Sequence, residues 1–247
     1  MKIVEDQGTV GSSSTCILVQ ETYRKQALCS ITSSMYAFSF CLYGPPSPKY
    51  YGGLQENLKL ISKYYPTWKV FIYVGADVPE SFCNSLESVQ IVRTGHTGPI
   101  LMMHRFLAIS EPDIECMFVR DADSRIHHRD RWAIDEFLKS PKIAHSIRDH
   151  PYHTVPMLGG LWGLKRCDVS IKDLVTPCLE TPWSFGLDQV FLRDTVYPLL
   201  KDRMLVHTSQ TYRYSDQEVQ QGFPWMFTET CYCGKAEGNQ LLRIFQR

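Results

Sequence analysis

Asp121 and Asp123 stand one residue apart, directly after the apolar run IECMFV at 114–119. Two carboxylates at that spacing can face the same way and share a hard cation. Mg²⁺ or Mn²⁺ takes one or two protein carboxylates and completes its shell with water and phosphate oxygens. Ala122 between them is small and leaves room for a ligand. The chemistry indicated is a metal-bridged diphosphate; the plain alternative is a solvated acidic loop, since the tripeptide is common. A calcium loop of the EF-hand type would need an oxygen ligand at Arg125 with a glycine beside it, and has neither. A haloacid-dehalogenase-like phosphatase would carry Thr or Val where Arg125 stands. Arg120 and Arg125 flank the pair, either as surface partners that neutralise it or as clamps on departing phosphate charge.

A second group of polar residues follows. Asp149, His150 and His153 lie just past the run 142–147, where a loop could present them to a sugar or to acceptor hydroxyls. Pro151 excludes a zinc pair of His150 and His153 on one regular helix. Gly159 and Gly160 would let backbone approach a ligand, with Trp162 as a packing wall, or would simply make a bulge. Asp188 opens an apolar-periodic segment, as a helix-stabilising carboxylate or as a general base. Arg105 offers a fixed charge suited to phosphate or ribose oxygens, or is an ordinary surface arginine.

These residues need a scaffold that brings strand ends together. The segments 35–43, 68–74, 89–92, 114–119, 142–147, 159–164 and 204–207 read as strands. Between them, Leu54, Leu58 and Ile61 recur at helical spacing, and 99–109, 128–139 and 187–200 read as further helices. Strands alternating with helices predict an α/β, mostly parallel sheet with right-handed crossovers. In such sheets ligands sit beyond the carboxyl ends of the strands, which is where Asp121 and Asp123 fall.

The 247 residues suffice for one large domain, and 44% apolar content excludes global disorder. We divide the chain into an extension over 1–33, with one strand near 16–19, a catalytic domain over 34–210, and a tail over 211–247 packed on it. Twenty-six basic residues balance twenty-six acidic ones, so no general nucleic-acid binder is expected. Nine cysteines without a C-x-x-C pair, no apolar leader in the first residues and no apolar stretch long enough for a bilayer predict a cytoplasmic protein without a transmembrane segment.

The blocks at 118–125 (FVRDADSR), 147–153 (IRDHPYH) and 158–163 (LGGLWG) together resemble the small DxD-dependent glycosyltransferases of the GT-A fold, encoded by large algal (chlorella) viruses and some bacterial polysaccharide clusters. Tyr43-Gly44, the 49–51 triplet, Arg105-Phe106 and the 185–189 block (FGLDQ) fall in the same order, so the resemblance covers about 35–207. It implies a single GT-A, Rossmann-like domain transferring a sugar from a nucleoside diphosphate donor, expected to be a UDP-linked hexose or deoxyhexose, to a carbohydrate acceptor. It implies that Phe40, Leu42 and Tyr43 cradle the nucleotide, with Arg105 on phosphate or ribose. Asp121 and Asp123 would hold Mn²⁺ or Mg²⁺, with Ala122 beside the donor and His207 completing the metal shell. Asp188 would stand on the acceptor side with Asp149, His150, His153, Gly159, Gly160 and Trp162. A non-catalytic nucleotide- or carbohydrate-binding module on the same fold is the competing class. Retention of Asp121, Asp123 and Asp188 together argues against it.

Overall fold

The computed structural model describes residues 35–184, 186–211, 213–228 and 231–235. The expected extension over 1–33, its strand near 16–19 and Phe185 lie outside the described residues. Eight strands form one sheet: β1 (Met35–Leu42), β2 (Lys69–Val74), β3 (Gln90–Arg93), β4 (Ile114–Arg120), β5 (Ala144–Arg148), β6 (Leu161–Lys165), β7 (Met204–Thr208) and β8 (Val219–Gly222). Their spatial order is β3-β2-β1-β4-β6-β5-β7-β8. Only β6 runs against its neighbours, antiparallel to both β4 and β5, so the sheet is mixed but mostly parallel.

Helices cover both faces, as a parallel sheet demands. On one face lie α1 (Gly53–Tyr64), α2 (Glu80–Asn84) and, across the centre, α4 (His128–Lys139). On the other lie α3 (Leu101–His104), α5 (Ile171–Leu179), α6 (Leu187–Phe191) and α7 (Tyr197–Leu200). Phe38, Phe40 and Leu42 pack toward the first layer, whereas Ala37 and the half-buried Cys41 and Tyr43 face the second. The period-two alternation of β1 therefore decides which of its residues reach each side of the strand end.

The observed elements differ from the expected ones in several places. The helix expected over 99–109 is broken into a 3₁₀ turn at Gly98–Ile100, α3, and a 3₁₀ segment Arg105–Ser110. Leu187 to Leu200 is one helical run interrupted by a π turn at Leu192–Val196, just ahead of Pro198, whose missing donor a regular ladder cannot use. Helices α2 and α5 and strand β8 are additional to the expected elements. Strand β8 lies in the expected tail and pairs with β7 through Leu205↔Val219 to Thr208↔Gly222. Among the described residues no helix is long and apolar enough to cross a membrane, and the seven described cysteines are free thiols.

Candidate active site

Strand β4 ends at Arg120, so Asp121 leaves the sheet edge beside the carboxyl end of β1. A pocket of about 130 Å³ opens there, lined by Cys41, Leu42, Tyr43, Tyr50, Met102, Arg105, Asp121, Ala122 and Asp123. The two aspartates therefore share one cavity, with Ala122 between them.

Two contacts from α1 shape the 121–126 loop. Buried Asn57 donates through Nδ2 to the Ser124 carbonyl at 2.7 Å and accepts from the Ile126 amide at 3.2 Å. Gly53 lies so close that a Cβ there would overlap the Ala122 carbonyl, so only glycine lets the helix approach the loop. Neither residue is among those expected from the sequence; an asparagine on the apolar face of an amphipathic helix is the signal that points to it.

Each aspartate carries a protein cation. Arg105 is 2% exposed and reaches Asp121 Oδ1 with one branch and Asp188 Oδ2 with the other, the latter at 3.3 Å. Its Nε donates to the Met102 carbonyl at 3.2 Å and its first branch also to the Arg120 carbonyl at 3.4 Å. The guanidinium joins Asp121 to Asp188 while lining the pocket. On the other side Lys49 Nζ lies 3.1 Å from Asp123 Oδ2. Burial pulls the Lys49 ammonium down, but hydrogen bonds to Tyr50 and Asp123 outweigh it and hold its pKa above the ordinary lysine value.

Lys49 and Tyr50 sit on a helical turn, Pro48–Gly52, that runs into α1. Ser47 Oγ accepts from the Tyr50 amide at 3.3 Å, an N-cap. Tyr51 donates to the Gly44 carbonyl at 2.6 Å, and the Gly44 amide donates to Asp77 Oδ2 at 2.9 Å. The turn is pinned over the pocket mouth.

Gly159 and Gly160 accommodate protein groups. A Cβ on Gly160 would overlap the Asp121 carboxylate, and one on Gly159 would stand 2.5 Å from Asp188 Oδ2 and 2.7 Å from Arg105. The glycines let the chain close over the Arg105, Asp121 and Asp188 cluster. Asp188 is 3% exposed in the first turn of α6.

Several expected site residues belong to the scaffold. Phe40 is fully buried against the α1 layer and does not line the pocket; Cys41, its neighbour on the opposite face of β1, does. Burial pushes the Cys41 thiol and the Tyr43 hydroxyl each up to about 12, so both stay protonated at neutral pH. Trp162 is wholly buried on β6, edge-to-face against Phe106 at 5.3 Å. Arg120 grips Asp130 of α4 with two hydrogen bonds of 3.0 and 2.8 Å, in the core. Asp149 is fully buried; Arg129 holds it through both oxygens, Ser209 Oγ donates to it, and the Cys233 amide donates at 2.9 Å. It fastens the chain around 233 to the sheet and is not open to an acceptor.

His207 sits inside β7, three strands from β4, and its Nδ1 meets His145 Nε2 at 2.8 Å. The structure does not bring it to the aspartates. Among the described residues no group of three or more His, Cys, Asp or Glu side chains could hold a metal. A cation here would have two carboxylates, Asp121 and Asp123, with its remaining positions open to water and phosphate, which fits Mg²⁺ or Mn²⁺ rather than a closed protein cage. His150 is 3% exposed and packs at a tilt against Tyr232, ring centroids 4.3 Å apart. Its neighbour His153 accepts from the Asp149 amide at 3.1 Å. Burial first, then the charge of His150, push His153 down to about 4 against the pull of Asp149 and Asp121. Tyr152 between the two histidines is 60% exposed.

No protein-family model matches the chain, and no curated protein matches it. Solved structures do. A glycosyltransferase involved in the glycosylation of the major capsid of PBCV-1 superposes with a TM-score of 0.50 at 16% identity, over 70% of this chain and 81% of that one. Mannosyltransferase PcManGT from Pyrobaculum calidifontis, in complex with GDP-Man and Mn²⁺, has a TM-score of 0.47 at 14% identity, over 82% and 64%. The 4-diphosphocytidyl-2C-methyl-D-erythritol synthase of Anaerococcus prevotii has 0.46 at 10%, over 71% and 87%. At these identities the likeness is one of fold. The sheet, its helical layers and the superposition on the PBCV-1 protein give this chain a GT-A-type, Rossmann-like fold.

Proposed function

We propose that this protein is a glycosyltransferase that moves a sugar from a nucleoside diphosphate donor to a carbohydrate acceptor with the help of a divalent cation. The observation that carries the reading is the convergence of Asp121 and Asp123 on one pocket at the carboxyl edge of β1 and β4, with Asp188 joined to Asp121 through Arg105. That edge is where open α/β sheets bind ligands. The fold shared with the PBCV-1 glycosyltransferase supports the same reaction class.

Asp121 and Asp123 would hold Mn²⁺ or Mg²⁺, which would offset the charge of the departing diphosphate. Tyr43, Leu42 and Tyr50 give the nucleotide an apolar and aromatic wall. Arg105 fixes the orientation of Asp121 and Asp188 by holding one oxygen of each, so both carboxylates are positioned before substrate arrives. Asp188 is the candidate general base, accepting the proton of the attacking acceptor hydroxyl. The exposed Tyr152 ring, on the loop after β5, supports a carbohydrate on the acceptor side, since an exposed aromatic face can pack against a sugar ring.

The test is release of nucleoside diphosphate from UDP-, GDP- and TDP-sugars in Mn²⁺ and again in EDTA. Metal-dependent turnover of one donor, lost in Asp188→Asn, is expected. Tight binding of a donor with no turnover on any acceptor would leave the binding module standing instead.

A further inference from the structure

The two carboxylates of the pocket hold their cations differently. Arg105 is buried, and all its branches are engaged by Met102, Arg120, Asp121 and Asp188. Lys49 is half-open: its side chain is 27% exposed, that of Asp123 17%, and the pair is joined by one contact of 3.1 Å. Beyond Asp123 it touches Tyr50, through a hydrogen bond of 3.2 Å to the hydroxyl and a position 4.7 Å over the ring. The backbone beneath Lys49 is fixed by the Ser47 cap and the Tyr51–Gly44 hydrogen bond, while the four-carbon stem above it can turn. A semi-exposed single-contact ion pair is weakly held and readily exchanged.

We propose that Lys49 is an exchangeable counter-cation: it neutralises Asp123 while no divalent ion is bound, and swings to the diphosphate of the donor when one is. The inference rests on the donor and metal reading above. A divalent ion on Asp123 repels the ammonium that occupied the same carboxylate, since like charges a few ångströms apart cannot share one oxygen pair without cost. The diphosphate brings the negative charge that receives the displaced lysine, at a pocket wall that Tyr50 already forms. Lys49 therefore opposes the metal when the donor is absent and assists the donor when the metal is present. A lysine serving only to hold the loop would do neither.

The opposite signs make the test. Mn²⁺ alone is titrated calorimetrically into the wild type, Lys49→Met and Lys49→Arg; then UDP, GDP and TDP are titrated with Mn²⁺ present. Lys49→Met is expected to bind Mn²⁺ about 3–10-fold tighter and the preferred nucleoside diphosphate about tenfold more weakly. Lys49→Arg, which keeps the charge, is expected to lie closer to wild type than Lys49→Met on both readings. Mn²⁺ affinity unchanged or weakened in Lys49→Met, or unchanged nucleoside diphosphate affinity, overturns the exchange while leaving the donor reading intact. Wild type that binds none of the three diphosphates with Mn²⁺ overturns both.

Discussion

Asp188 is held at the heart of the site by Arg105, with the Gly159 backbone against the same oxygen. If it takes the acceptor proton, Asp188→Asn keeps the shape and removes the base. The expected loss in kcat is about 10²–10⁴-fold, with nucleoside diphosphate affinity within a few-fold of wild type. Steady-state kinetics beside calorimetry separate the two quantities, and an unchanged kcat would remove Asp188 from the chemistry. Residue types and spacing single out Asp121 and Asp123 as candidate ligands, whereas Asp188 reads first as a helix-stabilising carboxylate and is singled out as a base only with the resemblance. Types and spacing do not reveal that Arg105 serves the aspartates, because an arginine that binds phosphate and one that binds a neighbouring carboxylate look alike in a chain. Asp149 misleads for the same reason. A carboxylate past a strand end resembles a ligand group until its partners, Arg129, Ser209 and the Cys233 amide, are seen to fill it.

At the scale of elements, what aims the aspartates is the fit of α1 and the Gly159-Gly160 turn around the 121–126 loop. In Gly160→Ala the added methyl must displace the Asp121 carboxylate. Such overpacking costs about 1–3 kcal/mol, and Mn²⁺ affinity is expected to fall at least tenfold. An Mn²⁺ titration matching wild type would show that Asp121 is not a ligand. Asn57→Ala removes the hydrogen bonds to Ser124 and Ile126; the Ser124 carbonyl keeps Arg125, but the buried Ile126 amide loses its acceptor, at about 1–3 kcal/mol. A thermal unfolding midpoint unchanged from wild type would contradict that role. Strands β1, β2 and β4 are readable because runs buried on both faces are continuous and apolar. Strand β8 is not: its VQQG sequence is polar, its burial is partial, and only its pairing with β7 makes it a strand. The break in the helix around Arg105 is hidden too, since Pro99 and the apolar spacing both agree with an ordinary helix.

Across the whole molecule, buried polar groups tie the layers together. Arg129 and Asp149 are both essentially inaccessible, and Arg129→Ala leaves an uncompensated buried carboxylate. The expected loss is about 3–5 kcal/mol, read as a lower denaturant midpoint; a loss under about 1 kcal/mol would contradict the account. Histidines add a pH dependence. Burial pushes His207 down to about 4; burial first, then His96, do the same to His104; and burial first, then His207, hold His145 well below the usual value. Their unfolded values lie near 6.5. The unfolded chain therefore binds protons first as pH drops, so stability is fully present above about 6.5 and is lost toward 4, by about 1–2 kcal/mol for each of His207 and His104 at pH 5. Denaturant midpoints that stay flat from pH 7.5 to 5 would refute this. The mostly parallel α/β architecture is legible from the alternation of strands and helices, and the resemblance points to the GT-A form of it. The reversal of β6 is not, because strand direction leaves no mark in composition.

A metal-dependent nucleoside diphosphate site at Asp121 and Asp123 is tested by calorimetric titration of UDP, GDP, TDP and their sugars, with and without Mn²⁺, into wild type and Asp123→Ala. At least one of them is expected to bind only when Mn²⁺ is present, and Asp123→Ala to abolish that binding. Failure of all of them to bind with Mn²⁺ present, or binding that survives in Asp123→Ala, would contradict it.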